Sequence, residues 1–370
     1  MTPITKKEAT KKPLVSIIVP TFREAENIPE LVRQIGDVLA SRQVDYEIII
    51  VDDNSRDGIE SAVESLSETY PVMIHTRIDE KGLSSAVIKG FSLARGDIYV
   101  VMDADLSHPP AKIAELIQPI MEGKADFVIG SRFVPGGSIP HFNWFRKLNA
   151  WVSRVLARPL AAVKDPMSGF FALPWHVMPA RDILNPLGFK IGLELLVKSE
   201  PEKIIEIPIE FQQRLHGESK LSLKEQVLYL AHLYRLYSYR HEKMVQFIEF
   251  GLIGASGVPV NLLFVYLTYD VMSLSYSTAL VVGFISAVTS NYILNKIITF
   301  SGSKPANTAV QYLQFVATCL LGLAINMAVS LSLYNSIFFF HRYYIITSLI
   351  GILAGMVFNF IGSRLLVFRK

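Results

Sequence analysis

Val100-Val101-Met102-Asp103-Ala104-Asp105-Leu106-Ser107-His108-Pro109-Pro110 is the stretch on which the reading of the chain turns. Residues 96–102 are β-branched and apolar enough for a buried strand that stops at Asp103, and Pro109-Pro110 suit the first turn of a helix. Two carboxylates thus fall at a strand's C-terminal end. In an extended chain, side chains at i and i+2 share a face, so Asp103 and Asp105 can approach one cation or one nucleotide while Ala104 points away. Hard oxygen ligands suit Mg²⁺ or Mn²⁺. The alternative is a pair of solvated loop acids capping the helix that follows.

The surroundings decide between the two. Strands are expected at residues 14–19, 46–51 and 72–76, each followed by a polar loop and a helical period of apolar residues, with a late strand within 203–211. This alternation predicts an α/β domain with a mainly parallel, doubly wound sheet, whose ligands collect outside the carboxyl ends of the strands. Glu24, Asp53, Asp103 and Asp105 all follow such strands, so one crevice can receive all four.

Composition divides the 370 residues in two. Residues 1 to about 240 carry most of the charge, whereas Leu, Ile, Val, Phe, Gly and Ser dominate from Val245 onward. The net charge of +3 and the single cysteine, Cys319 in an apolar run, argue against a nucleic-acid partner and a disulfide framework. Lys6, Lys7, Lys11 and Lys12 precede an apolar run too short for a signal peptide and lacking a small-residue cleavage site. The expected divisions are a basic tail at 1–13, a catalytic domain at 14–221, an interfacial helix or linker at 222–243 and a membrane domain at 244–370.

Ile18-Val19-Pro20-Thr21-Phe22-Arg23-Glu24-Ala25-Glu26-Asn27, Val51-Asp52-Asp53-Asn54-Ser55 and Asp103-Ala104-Asp105 resemble the inverting family-2 glycosyltransferases of the nucleotide-sugar-binding GT-A fold. Gly130-Ser131-Arg132, Asp165-Pro166-Met167-Ser168-Gly169-Phe170-Phe171 and Gly217-Glu218-Ser219-Lys220-Leu221 narrow the resemblance to dolichyl- or polyprenyl-phosphate mannose synthases. The resemblance implies GDP-mannose as donor and a dolichyl or polyprenyl phosphate as acceptor. It also implies that Pro20, Phe22, Glu24, Val51 and Asp53 hold the nucleoside, Asp103 and Ala104 the ribose and diphosphate, and Asp105 the metal, with Asp103 and Ser107 beside it. Many relatives carry Gln where this chain has Ser107, a shorter and weaker ligand. Processive synthases of the same fold carry Gln-x-x-Arg-Trp late in the domain; Gln212-Gln213-Arg214-Leu215 does not match it.

A phosphate monoester, with a second pKa near ~6, is largely an anion at neutral pH and attacks without a general base. The site must then supply positive charge, for which Arg132, Arg146, Arg214 and Lys220 are the candidates. Arg132 and Arg146 are expected on the lipid phosphate, and Arg132, Arg214 and Lys220 also on the nucleotide sugar. Asp165 could accept sugar hydroxyls or serve only a structural turn. Phe142, Phe145, Leu148, Trp151, Val152 and Val155 mark one face of a basic helix that either lies in a membrane interface or packs on the sheet.

Four apolar stretches, 245–269, 276–295, 312–334 and 344–367, are long enough to span about 30 Å of hydrocarbon. Arg235, Arg240 and Lys243 precede the first, Lys296 and Lys304 separate the second from the third, and Arg364, Arg369 and Lys370 end the fourth. The positive-inside bias puts both ends and the catalytic half in the cytoplasm, in a cell or endoplasmic reticulum membrane. An internal repeat supports the same topology: Gln246, Phe250 and Asn261 recur as Gln311, Phe315 and Asn326, and Asn291, Lys296 and Phe300 as Asn359, Arg364 and Phe368. This half resembles the GtrA-type four-helix domain. Other readings of the whole are a UDP-dependent glucose or other hexose transferase, and a flippase for a lipid-linked sugar with the first half as its sensor.

Overall fold

The computed structural model describes residues 12–140, 144–180, 183–188, 190–212, 223–304 and 306–369. They form two compact units, divided between Arg240 and His241.

In the first unit β1 (Val15–Thr21) leads to α1 (Ile28–Ser41), β2 (Tyr46–Asp52) to α2 (Ile59–Ser67), and β3 (Val72–Thr76) to α3 (Leu83–Leu93). Then come β4 (Ile98–Val101), α4 (Ile113–Met121), β5 (Phe127–Ser131), α5 (Trp144–Ala157), β6 (Phe171–Pro174), α6 (Ile191–Ser199), β7 (Ile204–Pro208) and α7 (Leu223–Arg240). The seven strands order as β3-β2-β1-β4-β6-β5-β7. Ile17, Val19, Ile48, Ile50 and Val100 pack one face of the sheet against α1 and α4, while Ile18, Val101, Phe127 and Phe171 pack the other against α3 and α6. Burial on both faces explains the unbroken apolar runs that announced β1, β2 and β4.

All the pairings are parallel except those of β6, which runs antiparallel to β4 and β5. The strand–loop–helix pattern did not foretell this reversal. Its cause lies in α5, which buries only Ala157 and leaves Trp144, Phe145, Leu148, Trp151, Val152 and Val155 exposed. Such a helix does not cross back over the sheet. The chain re-enters at the carboxyl edge, and β6 therefore runs the opposite way. The exposed aromatic face excludes one of the two readings of α5, since the apolar stripe does not pack on the sheet.

The second unit contains α8 (Glu242–Tyr266), α9 (Tyr276–Leu294), α10 (Thr308–Ser336), the short α11 (Phe338–Arg342) and α12 (Tyr344–Gly362). Four spans, Glu242–Val271, Tyr276–Thr299, Thr308–Ser336 and Ile345–Val367, are long and apolar enough to cross a membrane. α8 packs on α9 and α10 on α12, as two hairpins. The sequence repeat relates them, and their ring cluster obeys it. Phe300 stacks on its own repeat mate Phe368 at 4.7 Å and 11°. Phe250 lies 5.8 Å from Phe360, and the equivalent pair, Phe315 and Tyr292, is 5.7 Å apart. One aromatic contact set, used twice, joins the hairpins.

Within each hairpin a glycine receives an asparagine. A Cβ on Gly257 would meet the Asn291 amide, and one on Gly322 would collide with Asn359. Gly254, by contrast, has open space where its Cβ would be. Gly322→Ala is expected to destabilise the chain by about 1–3 kcal/mol through overpacking, and Gly254→Ala to leave its thermal denaturation in detergent micelles unchanged.

Candidate active site

The site grows from the register of the parallel strands. Pro20 pairs with Val51 and Thr21 with Asp52, while Val101 pairs with Ile18, so the loops after β1, β2 and β4 leave the sheet side by side. Arg23, Asn54, Arg56 and Leu106, all non-glycine residues with positive φ between 55° and 62°, lie in these three loops. Left-handed backbone in non-glycine residues concentrates where the surrounding structure dictates loop shape for a purpose.

The β1 and β2 loops are tied together. Arg23 N donates to Ser55 Oγ at 2.7 Å, Ala25 N to Asp57 Oδ2 at 3.1 Å, and Ser55 Oγ to Asp52 Oδ1 at 2.5 Å. An open cleft of about 490 Å³ between them is lined by Glu24, Glu26, Asn27, Ser55 and Arg56. Glu24 accepts from Asn27 Nδ2 at 2.6 Å. Phe22 is partly exposed, with the cations of Arg23 and Lys81 5.3 and 5.9 Å from its ring centre. Val51 is fully buried against Ala86, so it can meet a nucleoside only through its backbone. Asp53 is held by the buried Arg77 guanidinium and by Gly82 N at 2.7 Å. Arg77, at the end of β3, was not singled out in the sequence, because a lone arginine there carries no motif.

After β4 the geometry differs from the extended pair expected. The strand ends at Val101, and residues 103–106 form a turn closed by the left-handed Leu106. Ala104 packs into the core, as the pattern required, and the turn carries both carboxylates, that of Asp103 partly exposed and that of Asp105 buried. Ser107, expected beside the metal, is buried, and donates from both N (3.0 Å) and Oγ (2.5 Å) to Asp105 Oδ1. His108 shapes the turn from the other side: its Nδ1 accepts the Asp103 amide at 3.0 Å, and its ring stacks on Phe170 at 5.2 Å. That acceptor role assigns the proton of the neutral ring to Nε2. Burial holds the His108 pKa below its ordinary value despite the opposing pull of Asp103 and Asp105. The 3.8 Å approach of Nδ1 to Asp103 Oδ2 is then no ion pair.

The third wall is a buried fork. Arg132, just past β5, donates from Nε to Asp165 Oδ2 at 2.8 Å, from Nη2 to Oδ1 at 2.9 Å, and from its amide to Oδ2 at 3.0 Å. The Asp165 side chain is fully buried. Both of its oxygens serve Arg132, so the structural turn, and not a sugar contact, is its role. Ser168 Oγ donates to Gly130 O at 2.7 Å, and Gly169 passes so close to the Asp103 carboxylate that its Cβ would sit 3.5 Å away. The turn thus carries the fork to the edge of the Asp103–Asp105 pair.

Lys190, immediately before α6, is a further cation that no motif indicated. Burial and the nearby Arg132 charge lower its pKa to about 8, against the upward pull of Asp103, Asp165 and Glu225. Arg146 lies on α5 rather than at a strand end. Arg214 and Lys220 lie outside the described residues, as do Phe142 and residues 1–11 of the basic tail. No group of three or more His, Cys, Asp or Glu gathers as a metal centre among the described residues. Two carboxylates are enough for Mg²⁺ or Mn²⁺ when substrate phosphates and water complete the shell.

Burial pushes Asp165 up, but the Arg132 charge and hydrogen bonds outweigh it and hold the carboxyl below its ordinary value. Glu47 and Glu194 are likewise lowered against burial, by Ser16 and Arg95 and by His232 and Lys198. A depressed carboxyl stabilises the fold at any pH above its unfolded pKa, about 4, and loses that contribution as pH falls through the folded value. Thermal denaturation is therefore expected to be flat from neutral pH to about 5 and to fall steeply below 4. Asp165→Asn, which leaves Arg132 buried and unpaired, is expected to cost about 3–5 kcal/mol in the same measurement at pH 7.

Residues 16–178 match the model of the glycosyl transferase family 2, and residues 249–368 that of the GtrA/DPMS transmembrane domain. A dolichol-phosphate mannosyltransferase of Pyrococcus furiosus is 38% identical over 354 residues, covering 95% of this chain and 98% of that one. One from Mycosarcoma maydis is 44% identical over 62% of this chain and 80% of its own length, and one from Saccharomyces cerevisiae 38% identical over 70% and 98%.

Proposed function

From the premise that this chain belongs to the dolichol-phosphate mannosyltransferase family, with a family-2 glycosyl transferase domain and a GtrA/DPMS transmembrane domain, we propose how it works. The chain is a membrane glycosyltransferase that transfers mannose to dolichyl phosphate. GDP-mannose is the donor, and the lipid phosphate oxygen attacks the anomeric carbon from the face opposite the leaving group. The C1–O bond to GDP breaks as the new C1–O bond forms, so the configuration inverts and GDP departs.

The observation that carries this reading is the meeting of three strand-end loops with the Arg132–Asp165 fork. The β1 and β2 loops hold the nucleoside: Pro20 and Val51 by backbone, Phe22 by its ring, Glu24 and Asp53 by their carboxylates. Asp103 and Ala104 lie along the ribose and diphosphate. The Asp103 and Asp105 oxygens would hold Mg²⁺ or Mn²⁺, and Ser107 orients Asp105 for that role. When bound, the ion neutralises charge on the leaving diphosphate. Arg132, Arg214 and Lys220 face the anions of donor and acceptor, and Arg146 the lipid phosphate, so two like-charged groups can meet. No general base is required of the protein, because the acceptor is already ionised at neutral pH.

The exposed face of α5, with Trp144, Phe145, Leu148 and Trp151, suits the headgroup region from which the acceptor enters. The Arg and Lys flanks of the four spans support a cytoplasmic position for the catalytic unit.

Purified full-length chain in micelles, given GDP-mannose, Mn²⁺ and dolichyl phosphate, is expected to yield mannosyl-phosphoryl lipid by mass spectrometry. Asp105→Ala is expected to lower turnover at least 100-fold. Preference for UDP-glucose, GDP release without a mannosyl lipid, or full turnover by Asp105→Ala would each contradict the proposal.

A further inference from the structure

We infer that Lys190, at the start of α6 beside the turn at residues 165–171, is a catalytic cation whose ammonium binds a phosphate oxygen of the reacting anions. The inference rests on the reaction proposed above and adds to it a residue outside every motif quoted from the sequence.

Three observations carry it. First, the side chain is half-buried, yet its ammonium makes no hydrogen bond or ion pair among the described residues. A lysine taken that far from water without a partner costs stability, and such a cost persists where a ligand removes it. Second, the start of α6 lies against the turn that carries the fork: a Cβ on Gly192 would sit 2.9 Å from Ser168 O, and one on Gly169, the next residue of that turn, 3.5 Å from the Asp103 carboxylate. The charges that act on Lys190 there are Arg132, Asp103, Asp165 and Glu225. Both Asp165 oxygens are occupied by the Arg132 fork, and the Asp103 carboxylate lies on the turn proposed to hold the metal. Third, its backbone is anchored. Lys190 O accepts the Glu194 amide at 3.3 Å, and Gly188 O, two residues earlier, accepts Ser84 Oγ at 2.7 Å. Glu194 is itself fixed by Lys198 at 2.5 Å and by the buried His232 at 2.6 Å. The start of α6 is thus held from α3 and α7, while the lysine's ammonium has no hydrogen-bond or ion-pair partner among the described residues.

Arg132 is only partly available to an anion: its Nε–Nη2 edge is committed to Asp165, which leaves the outward Nη1 and Nη2 hydrogens. An ammonium on a flexible stem can follow a phosphate oxygen as charge moves from acceptor to leaving group.

The test compares the full-length wild type with Lys190→Met and Lys190→Arg in micelles. Lys190→Met is expected to lower kcat/KM at least 100-fold while its melting temperature stays the same or rises, and Lys190→Arg to recover part of the rate. A rise in KM for dolichyl phosphate assigns the contact to the attacking phosphate, and a rise for GDP-mannose to the donor. Kinetics of Lys190→Met within threefold of wild type, or a melting temperature that falls with activity, would overturn the inference. If the wild type makes no mannosyl lipid, the substrate reading fails, and direct binding still decides about Lys190. At least a tenfold loss of affinity for GDP or for a short-chain polyprenyl phosphate in Lys190→Met supports it, and loss of neither refutes it.

Discussion

The catalytic unit depends on one buried ion pair. A guanidinium and a carboxylate removed from water are costly unless every lone pair and proton finds a partner. Arg132 and Asp165 offset that cost with three hydrogen bonds between them, and Glu206 caps the segment by accepting the Asp165 amide at 2.9 Å. The pair clamps the end of β5 to the turn that precedes β6, which brings Gly169 against Asp103. Because β6 returns through the sheet antiparallel between β4 and β5, this clamp sits at the same edge as the carboxyl ends of β1, β2 and β4. The sheet reversal and the active site therefore have one origin.

Around the clamp the protein maintains conformations that are unfavourable in isolation. Four non-glycine residues adopt left-handed backbone in the loops after β1, β2 and β4. Side-chain bonds from Asp52, Ser55 and Asp57 brace the first two loops, and His108 braces the third. Such bracing suits a reaction whose demand is on electrostatics, since donors and cations fixed beforehand need not reorganise as charge moves. The second unit solves a different problem: helices already in an apolar surrounding gain little from hydrophobic burial against each other. Close glycine–asparagine packing within each hairpin and a six-ring aromatic set between hairpins take over that role.

Much of this was legible in the sequence. β1, β2 and β4 are buried on both sides and so read as continuous apolar runs, and the Asp-x-Asp after β4 marked the strand-end edge on which the candidate site lies. The membrane repeat was visible because offsets of 65 and 68 residues preserve Phe250 with Phe315 and Phe300 with Phe368. What escaped were features set by long-range geometry. The direction of β6 depends on α5 failing to cross the sheet, and an exposed amphipathic helix has the same period as a packed one. Lys190, Arg77 and His108 act through neighbours far away in sequence or through a ring nitrogen's hydrogen bond, and periodicity records neither. Asp103 and Asp105 were expected on an extended backbone, where the chain uses a turn.

The central claim is that the Asp103–Asp105 turn holds a divalent ion against a diphosphate within a pre-set frame of cations. Calorimetric titration of GDP into the full-length protein, with and without Mn²⁺, tests it most directly. Mn²⁺ is expected to tighten GDP binding at least tenfold, and Asp105→Asn to abolish that gain while metal-free binding stays as it was. Equal GDP affinity with and without the ion, or an unchanged gain in Asp105→Asn, would contradict it.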